Sequence, residues 1–437
     1  MKLSKRPYKG TRDFFPAQKR EQDYIFNKMK ESASIFGFEP YDGPLLEEVE
    51  LYKAKSGEEL INEQIYSFTD RGNRFVAIRP EMTPTVARMV AQIHKEYPKP
   101  IRWYSIPNLY RYERPQKGRL REHWQFNCDI FGANDNDGAL EILQLLVHFL
   151  TSFNATNEHF SILINDRRVV ETLFNNVLKL DATTSQKLYK IIDKAKKITS
   201  NDLQKMIDGL NLANNQVDII NKYLDAKNLP EVLKILEENE EDGPSADLNY
   251  FISMIDKLNL NDFIIYDPTI VRGLDYYTGI VFEVFDKNPQ NPRAICGGGA
   301  YANLLKIFNE PALPGVGFGM GDVTLTDFLK THNLLPEVSK PVNDLFLSFQ
   351  DERNALNAKI VAKSLREKNI SVLINYGSIK TKKAFSQAEK SGAKFVALMG
   401  EHEIDNQTIQ IKCMKTKNQI NPSVTEIEKI IDFIKAT

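Results

Sequence analysis

IRWYSIPNLYRYERPQKGRLREHWQFNCDIFG, residues Ile101–Gly132, reads as strand, loop, strand. The two β-like runs, IRWYSIPNLYRYE and HWQFNCDIFG, are rich in aromatic and branched residues, and they flank a loop, ERPQKGRLRE, that carries Arg114, Lys117, Arg119 and Arg121. A basic loop between antiparallel strands can cradle phosphates; a solvated charged turn has the same composition. The strands carry Arg111, Glu113, Gln125 and Asp129 at spacings of two and four, so each pair can share one face of a sheet. Four polar side chains on one face exceed what a packed core uses.

Toward the N-terminus, QIYSF and RFVAI alternate in polarity and are joined by Asp70-Arg71-Gly72-Asn73, a hairpin signal. RPEMTPTVARMVAQ then starts a helix at Thr83-Pro84. Earlier still, Pro16 precedes an amphipathic helix over Ala17 to Ile35, closed by Gly37. FEPYDGPLLE follows as an extended segment that Pro40 and Pro44 confine to a sheet edge. A helix followed by an edge strand suits a subunit interface.

Toward the C-terminus, a helix over Ala139 to Phe149 leads to the strand HFSILIND. Arg167-Arg168 then opens a polar-helical stretch running to about Leu260, broken strongly only at Glu238 to Ser245, which reads as a helical insertion. The sheet pattern resumes with FIIYDPTIVRGLDYYTGIVFEVF. Within it, Val271 to Glu283 sets one arginine, Arg272, beside a glycine, an aspartate and two tyrosines, a polar density costly to bury without a ligand. A glycine turn with Arg272 paired to Asp275 would use the same residues. RAICGGGAYANLL reads as a strand into glycines and a helix. GVGFGMGDVTLTDFL alternates Gly317, Gly319 and Gly321 with apolar residues, leaving one strand face bare for a flat ligand or another backbone. The pattern does not open a βαβ unit, which tells against a Rossmann dinucleotide site. His332 to Asp344, with Pro336 and Pro341, reads as a linker. Beyond it, strand and helix signals alternate, predicting a compact α/β domain with a mainly parallel sheet.

The 437 residues suggest two or three domains. With 57 basic against 58 acidic residues, a nucleic-acid surface has to be a local patch. From Lys340 onward 16 Lys and Arg face 11 Asp and Glu, a net of +5, so the rest of the chain carries −6. That asymmetry directs polyanion contacts to the C-terminal domain, with Lys380, Lys382 and Lys383 at a helix start as candidates or as a merely solvated helix end. Cys128, Cys296 and Cys413 lack CxxC spacing, against a disulfide framework or a cysteine zinc site. No run approaches the ~18 apolar residues of a membrane span, and MKLSKRPYKG lacks an apolar signal region; a cytoplasmic protein is expected.

Taken together, KGTRDFFP, RPEMTPTVAR, YRYERPQKGRLREHWQFNCDIFG, INDRR, RGLDYYTGIVFE and the C-terminal α/β pattern resemble, in order and over nearly the whole chain, the class II aminoacyl-tRNA synthetases, and among them the histidyl-tRNA synthetase family. ERPQKGR and RGLDYY carry most of the specificity. The resemblance implies an α+β catalytic domain, an antiparallel sheet flanked by helices, over residues 1–166 and 262–330. It further implies a helical insertion at 167–261, a linker at 331–341 and an α/β anticodon-binding domain at 342–437. It implies a homodimer that joins L-histidine to tRNA(His), with ATP as co-substrate, Mg2+ on the ATP phosphates and no protein-held metal. Arg111 and Arg272 are then the catalytic pair at the α-phosphate. Glu113 serves the adenine side and Arg119 the distal phosphates, with Arg121 completing the ATP set. Glu81 and Thr83 serve the α-amino group of histidine, Gln125 with Arg111 its amino and carboxylate end, and Asp129, Tyr276 and Tyr277 its ring; Arg272 is also among the histidine-binding residues.

Two departures stand out. The class ends its glycine strand with Glu-Arg, whereas Val323 and Thr324 occupy those positions; and the family's GGRYD is here Gly298-Gly299-Ala300-Tyr301-Ala302. Compensating groups are expected, since Arg111, Arg119 and Arg272 are retained. A competing expectation is a non-acylating regulatory subunit of ATP phosphoribosyltransferase; such paralogues generally lack the anticodon-binding domain and the RGLDYY arginine.

Overall fold

The computed structural model describes residues 3–53, 63–195, 198–239, 241, 243–271, 277–338 and 343–436. The chain divides into two compact units: Met1–Asp13 with Tyr24–Pro336, and Phe14–Asp23 with Glu337–Thr437. Among the described residues, no helix is long and apolar enough to cross a membrane.

The first unit is built on a nine-stranded sheet. Its strands are β1 (Glu39–Pro40), β5 (Ile101–Ser105), β7 (Glu122–Phe131), β12 (Gly315–Gly321), β11 (Ala294–Ala300), β10 (Ile280–Asp286), β8 (Phe160–Asp166) and β9 (Ile264–Tyr266) in spatial order, with β6 (Asn108–Tyr110) pairing β7 off this path. The central pairs are antiparallel; the outermost, β1 with β5 and β8 with β9, are parallel. As Pro40 requires, β1 lies at an edge. The expected hairpin forms between β3 (Tyr66–Thr69) and β4 (Phe75–Ile78). Asp70 Oδ1 accepts from the Gly72 and Arg74 amides (2.8 and 2.9 Å), and Asn73 takes φ 59°.

Period-two alternation gives β7 two unlike faces. Phe126, Cys128 and Ile130 are fully buried in a cluster with Phe318 and Met320 of β12 and Phe282 of β10, backed by α4 (Asp135–Thr151) through Leu143, Leu146 and Leu150. Asn134 caps α4, its side chain accepting from the Asn136 amide (3.0 Å). Gln125, Asn127 and Asp129 point the other way.

Between β8 and β9 run α5 (Arg167–Thr172), α6 (Ala182–Asp193), α7 (Ser200–Asp208), α8 (Asn214–Asp225), α9 (Leu229–Glu237) and α10 (Ser245–Lys257). Their apolar residues, Leu188, Ile207, Tyr223 and Leu236 among them, join the cluster beneath the sheet. The junction is polar. Asn165 on β8 is fully buried; its Nδ2 donates to Tyr223 Oη (2.9 Å) and the Pro268 carbonyl (3.2 Å), and its Oδ1 accepts from the Asp166 amide (2.8 Å).

Three expectations are corrected. Arg111 and Glu113 are not strand residues: the Glu113 amide turns back onto the Arg111 carbonyl (2.7 Å), which ends the ladder at Tyr110. The glycines of RAICGGGAYANLL lie inside β11, and a single 3₁₀ segment, Leu304–Phe308, stands where a helix was expected. In the second unit, β13 (Asn343–Phe349) pairs in parallel with β14 (Val372–Ile374) and β15 (Ala393–Met399), but β16 (Gln410–Cys413) and β17 (Gln419–Ile420) add antiparallel pairs. Ten residues separate β15 from β16 and five separate β16 from β17, short of the dozen or so that a parallel crossover takes. Helices α12 (Ala355–Glu367) and α15 (Ile427–Ala436) bury Val361, Leu365 and Ile430 with the β13 and β15 residues Leu347 and Phe395. Helix α13 (Thr381–Lys390) packs Ala384 and Ala388 with Phe346 and Val396.

Asn165→Ala strips partners from two acceptors and one amide in a dry site, so unfolding free energy should fall by roughly 2–4 kcal/mol in urea titration. A loss below 1 kcal/mol would mean water replaces the side chain.

Candidate active site

The face of the sheet opposite α4 is built from what its side chains lack. On β12, Gly317 pairs with Asp129 and Gly319 with Asn127 of β7. On β11, Gly299 pairs with Gly317 and Gly297 with Gly319. A methyl group on Gly317 would collide with Asp129 Oδ1; on Gly319 it would come within 2.7 Å of the Gln125 amide, and on Gly299 within 2.7 Å of the Tyr277 ring. The bare strand face therefore makes room for the chain's own polar and aromatic groups, where a flat ligand or a backbone was expected. Three sequence-predicted residues, Gln125, Asp129 and Tyr277, are brought together over one glycine floor.

Asp129 is the dominant titrating group there. It is 5% exposed, and burial pushes its carboxyl up to about 7, opposed by a hydrogen bond that the Tyr301 hydroxyl donates to Oδ1. Tyr301, 2% exposed, stands in the sequence between the two departures from GGRYD, which alone give it no role. Its sequence signal is the tyrosine retained where its neighbours changed. Ala300 is fully buried, and the Ala302 amide donates to Thr278 Oγ1 (2.9 Å). Tyr41, missed in the sequence, lies close enough for Asp129 to reinforce what burial does first, raising its phenol well above the ordinary value.

The basic arm enters from one end. Arg111 Nε donates to the Pro80 carbonyl (2.9 Å), joining the arm to the Arg79–Thr83 segment. Its other guanidinium nitrogens meet no acceptor among the described residues. Glu81 is buried, and Thr83 opens α3 (Thr83–Ile93). Arg119 and Glu113, assigned to distal phosphates and adenine, bind one another: Nε and Nη2 of Arg119 grip both carboxylate oxygens of the buried Glu113. A nucleotide contact by either has to share or displace that pair. Arg121 donates to the Glu113 carbonyl (3.0 Å) and Tyr8 Oη (2.9 Å) and stacks on Tyr112 at 4.0 Å, so it braces the arm.

Behind the arm, Arg12 pairs with the buried Asp322 (2.8 Å), whose other oxygen accepts from the Trp124 amide (2.9 Å). Burial, and then the charges of Arg111 and Arg12, push His123 down to about 3, so its ring is neutral at physiological pH. Arg272 and Tyr276 lie outside the described residues.

A largely antiparallel sheet backed by α4, a basic strand–loop–strand and a polar floor over alternating glycines define a class II aminoacyl-tRNA synthetase. The sequence profile described as "Histidyl-tRNA synthetase" matches residues 10–323, and that described as "Anticodon binding domain" matches 341–437. The histidine–tRNA ligase of Leptospira biflexa serovar Patoc is 43% identical over 436 residues, 98% of each chain. The chloroplastic/mitochondrial histidine–tRNA ligase of Arabidopsis thaliana is 34% identical, covering 98% of this chain and 87% of that protein. In fold, the chain is similar to the crystal structure of histidyl-tRNA synthetase from Nostoc sp. PCC 7120 (TM-score 0.80, 22% identity, 99% and 100% of the two chains). It is also similar to an ATP phosphoribosyltransferase regulatory subunit/histidyl-tRNA synthetase from Bacillus halodurans (TM-score 0.75, 19% identity, 92% and 99%). The chain belongs to the histidyl-tRNA synthetase family.

The fold holds the Asp129 proton more tightly than the unfolded chain does. Its contribution to stability is therefore present at low pH and lost as pH rises from about 4 to about 7. Asp129→Asn escapes that loss, and by this group alone should be more stable than the unsubstituted protein at pH 8, by up to roughly 4 kcal/mol, with the gain shrinking at pH 4. Thermal melts at both pH values check this; a pH-independent difference contradicts it.

Proposed function

We propose that this chain attaches histidine to tRNA(His) in two steps on the floor described above. The histidine carboxylate attacks the α-phosphorus of ATP and pyrophosphate leaves; the tRNA terminal adenosine hydroxyl then attacks the carbonyl of the histidyl-adenylate and AMP leaves. The observation that carries this reading is the buried Asp129, held by Tyr301 over Gly317 beside the Tyr277 ring. A carboxylate so enclosed accepts an imidazole N–H, and a site that leaves such a group unpaired with the wrong ligand can discriminate by ~10⁴–10⁵. The unengaged nitrogens of Arg111 and the Gln125 amide suit the carboxylate and amino end, with Glu81 and Thr83 following Pro80, whose carbonyl Arg111 holds. The roles of Arg272, opposite Arg111 at the α-phosphate, and of Tyr276 rest on the family likeness.

ATP supplies the activating phosphate, and Mg2+ would arrive on its phosphates, as the family likeness implies. In this reading the catalytic domain is 1–166 and 262–330, the insertion 167–261, the linker 331–341 and the anticodon-binding domain 342–437, in a cytoplasmic homodimer. The anticodon-domain match at 341–437 tells against the regulatory-subunit reading. For the tRNA, the C-terminal unit offers exposed Lys380, Lys382 and Lys383 beside Tyr376, which is fully exposed and suited to stacking on a base.

Histidine alone among the twenty amino acids should drive pyrophosphate exchange into ATP; a folded protein without that exchange contradicts the assignment. Arg272→Ala should abolish exchange, a loss of roughly 3–4 kcal/mol or more in transition-state binding, while histidine still binds, more weakly, in calorimetry; complete loss of histidine binding would remove the role given at the α-phosphate. Lys382→Glu with Lys383→Glu should raise KM for tRNA about tenfold or more and leave exchange intact. An unchanged KM moves the RNA contact elsewhere.

A further inference from the structure

The tip of the basic loop closes tightly: Gln116 and Arg119 exchange both backbone hydrogen bonds (2.9 and 3.0 Å) around Lys117 and Gly118, with Gly118 at φ +71°. Two other segments meet that tip. A methyl group built on Gly118 would come within 3.0 Å of Arg293 Cδ and 3.5 Å of Thr324 Cγ2. Arg293 precedes β11, and Thr324 lies in the first turn of α11 (Asp322–Thr331). Thr324 stands where the class carries an arginine, but its hydroxyl is turned back to the Ile295 and Gly321 carbonyls (3.1 and 3.3 Å).

We infer that Arg293 supplies the guanidinium that position 324 lacks, placing it against the polyphosphate end of the nucleotide. This rests on the ATP-dependent reading above. The neighbouring cations are engaged: Arg119 with Glu113, Arg12 with Asp322, and Lys117 with the Gln290 carbonyl (3.1 Å). Of the acids on α11, Asp322 is held by Arg12 and Asp327 feels Lys117, Lys330 and Arg12. Arg293 is half-buried and, among the described residues, has neither a carboxylate nor a carbonyl partner. A guanidinium partly removed from water without a counter-charge is costly unless an anion completes it.

Its loop is also rigid before any ligand arrives. Asp286, at the end of β10, accepts from the Asn288 amide and from Asn291 Nδ2 (both 2.7 Å) and bonds His332 Nε2 (2.8 Å). Asn291 Nδ2 also donates to Thr331 Oγ1 (2.9 Å). The loop that presents Arg293 is thus clamped to the far end of α11, and Lys117 ties it to the basic tip. A cation delivered by a preorganised loop binds a phosphate without first ordering its own backbone.

The test uses the full chain in histidine-dependent pyrophosphate exchange. Exchange by the unsubstituted protein is the precondition; its absence would remove the underlying reading, independently of Arg293. Arg293→Ala should raise KM for ATP about 10- to 100-fold, leave KM for histidine within twofold and leave inhibition by adenosine unchanged, because adenosine carries no phosphate. Arg293→Met keeps the aliphatic stem against Gly118 and should behave alike, which separates lost charge from lost packing. Adding Thr324→Arg to Arg293→Ala should recover at least part of the ATP affinity. A KM for ATP within twofold of the unsubstituted protein in both single variants, or an equal weakening of adenosine, overturns the inference.

Discussion

The structure depends on a steric constraint: the candidate site can hold a carboxylate and an amide on the same strand face only because β12, and β11 beyond it, present glycines there. Asp129 pairs with Gly317 and Gln125 reaches over Gly319, at separations that any side chain would close. The opposite face of the same strands is continuous apolar core. One sheet thus separates a dry, cohesive side from a side where polar groups stand close together, and the antiparallel register aligns the glycines of β11 and β12 into a single floor.

Electrostatics follow from that geometry. Burial alone would oppose charge on Asp129, and the Tyr301 hydroxyl partly restores it. Around the basic arm, arginines are held by partners of the chain itself: Arg119 by Glu113, Arg12 by Asp322, Arg121 by two phenol rings and a carbonyl. These pairings fix direction before a substrate arrives, and direction is what a reaction at phosphorus needs most. They also set a competition: an anion drawn to Arg119 meets Glu113 there first.

Much of this was legible in the sequence because it is periodic. The alternation along HWQFNCDIFG, the turn at Asp70 to Asn73 and the glycines of GVGFGMG declare faces and turns directly. Register is not periodic information. Nothing in GVGFGMG says which strand lies beside it, so its bare face suits a flat ligand or another backbone alike; in the fold it accommodates Gln125 and Asp129. The same limit explains Tyr301, distant in sequence from Asp129 yet its hydrogen-bond partner. The family likeness gives Glu113 and Arg119 separate tasks, and sequence spacing does not reveal that a tight loop folds one onto the other. The C-terminal sheet was read as mainly parallel because alternating strands and helices dominate its first half, while its last strands follow one another too closely for crossovers.

The two-faced strand Glu122–Phe131 has an evolutionary corollary. Its even-numbered members from Phe126 to Ile130 answer to the density of the interior, where drift among apolar residues of similar volume is cheap. Its odd-numbered members from Gln125 to Asp129 answer to chemistry, and each is locked to a bare position on the neighbouring strand. Change on that side has to arrive as coordinated pairs: a larger group on the glycine strand becomes tolerable only once its opposite number has shrunk. Two tolerances to substitution are thereby interleaved, residue by residue, within one ten-residue segment.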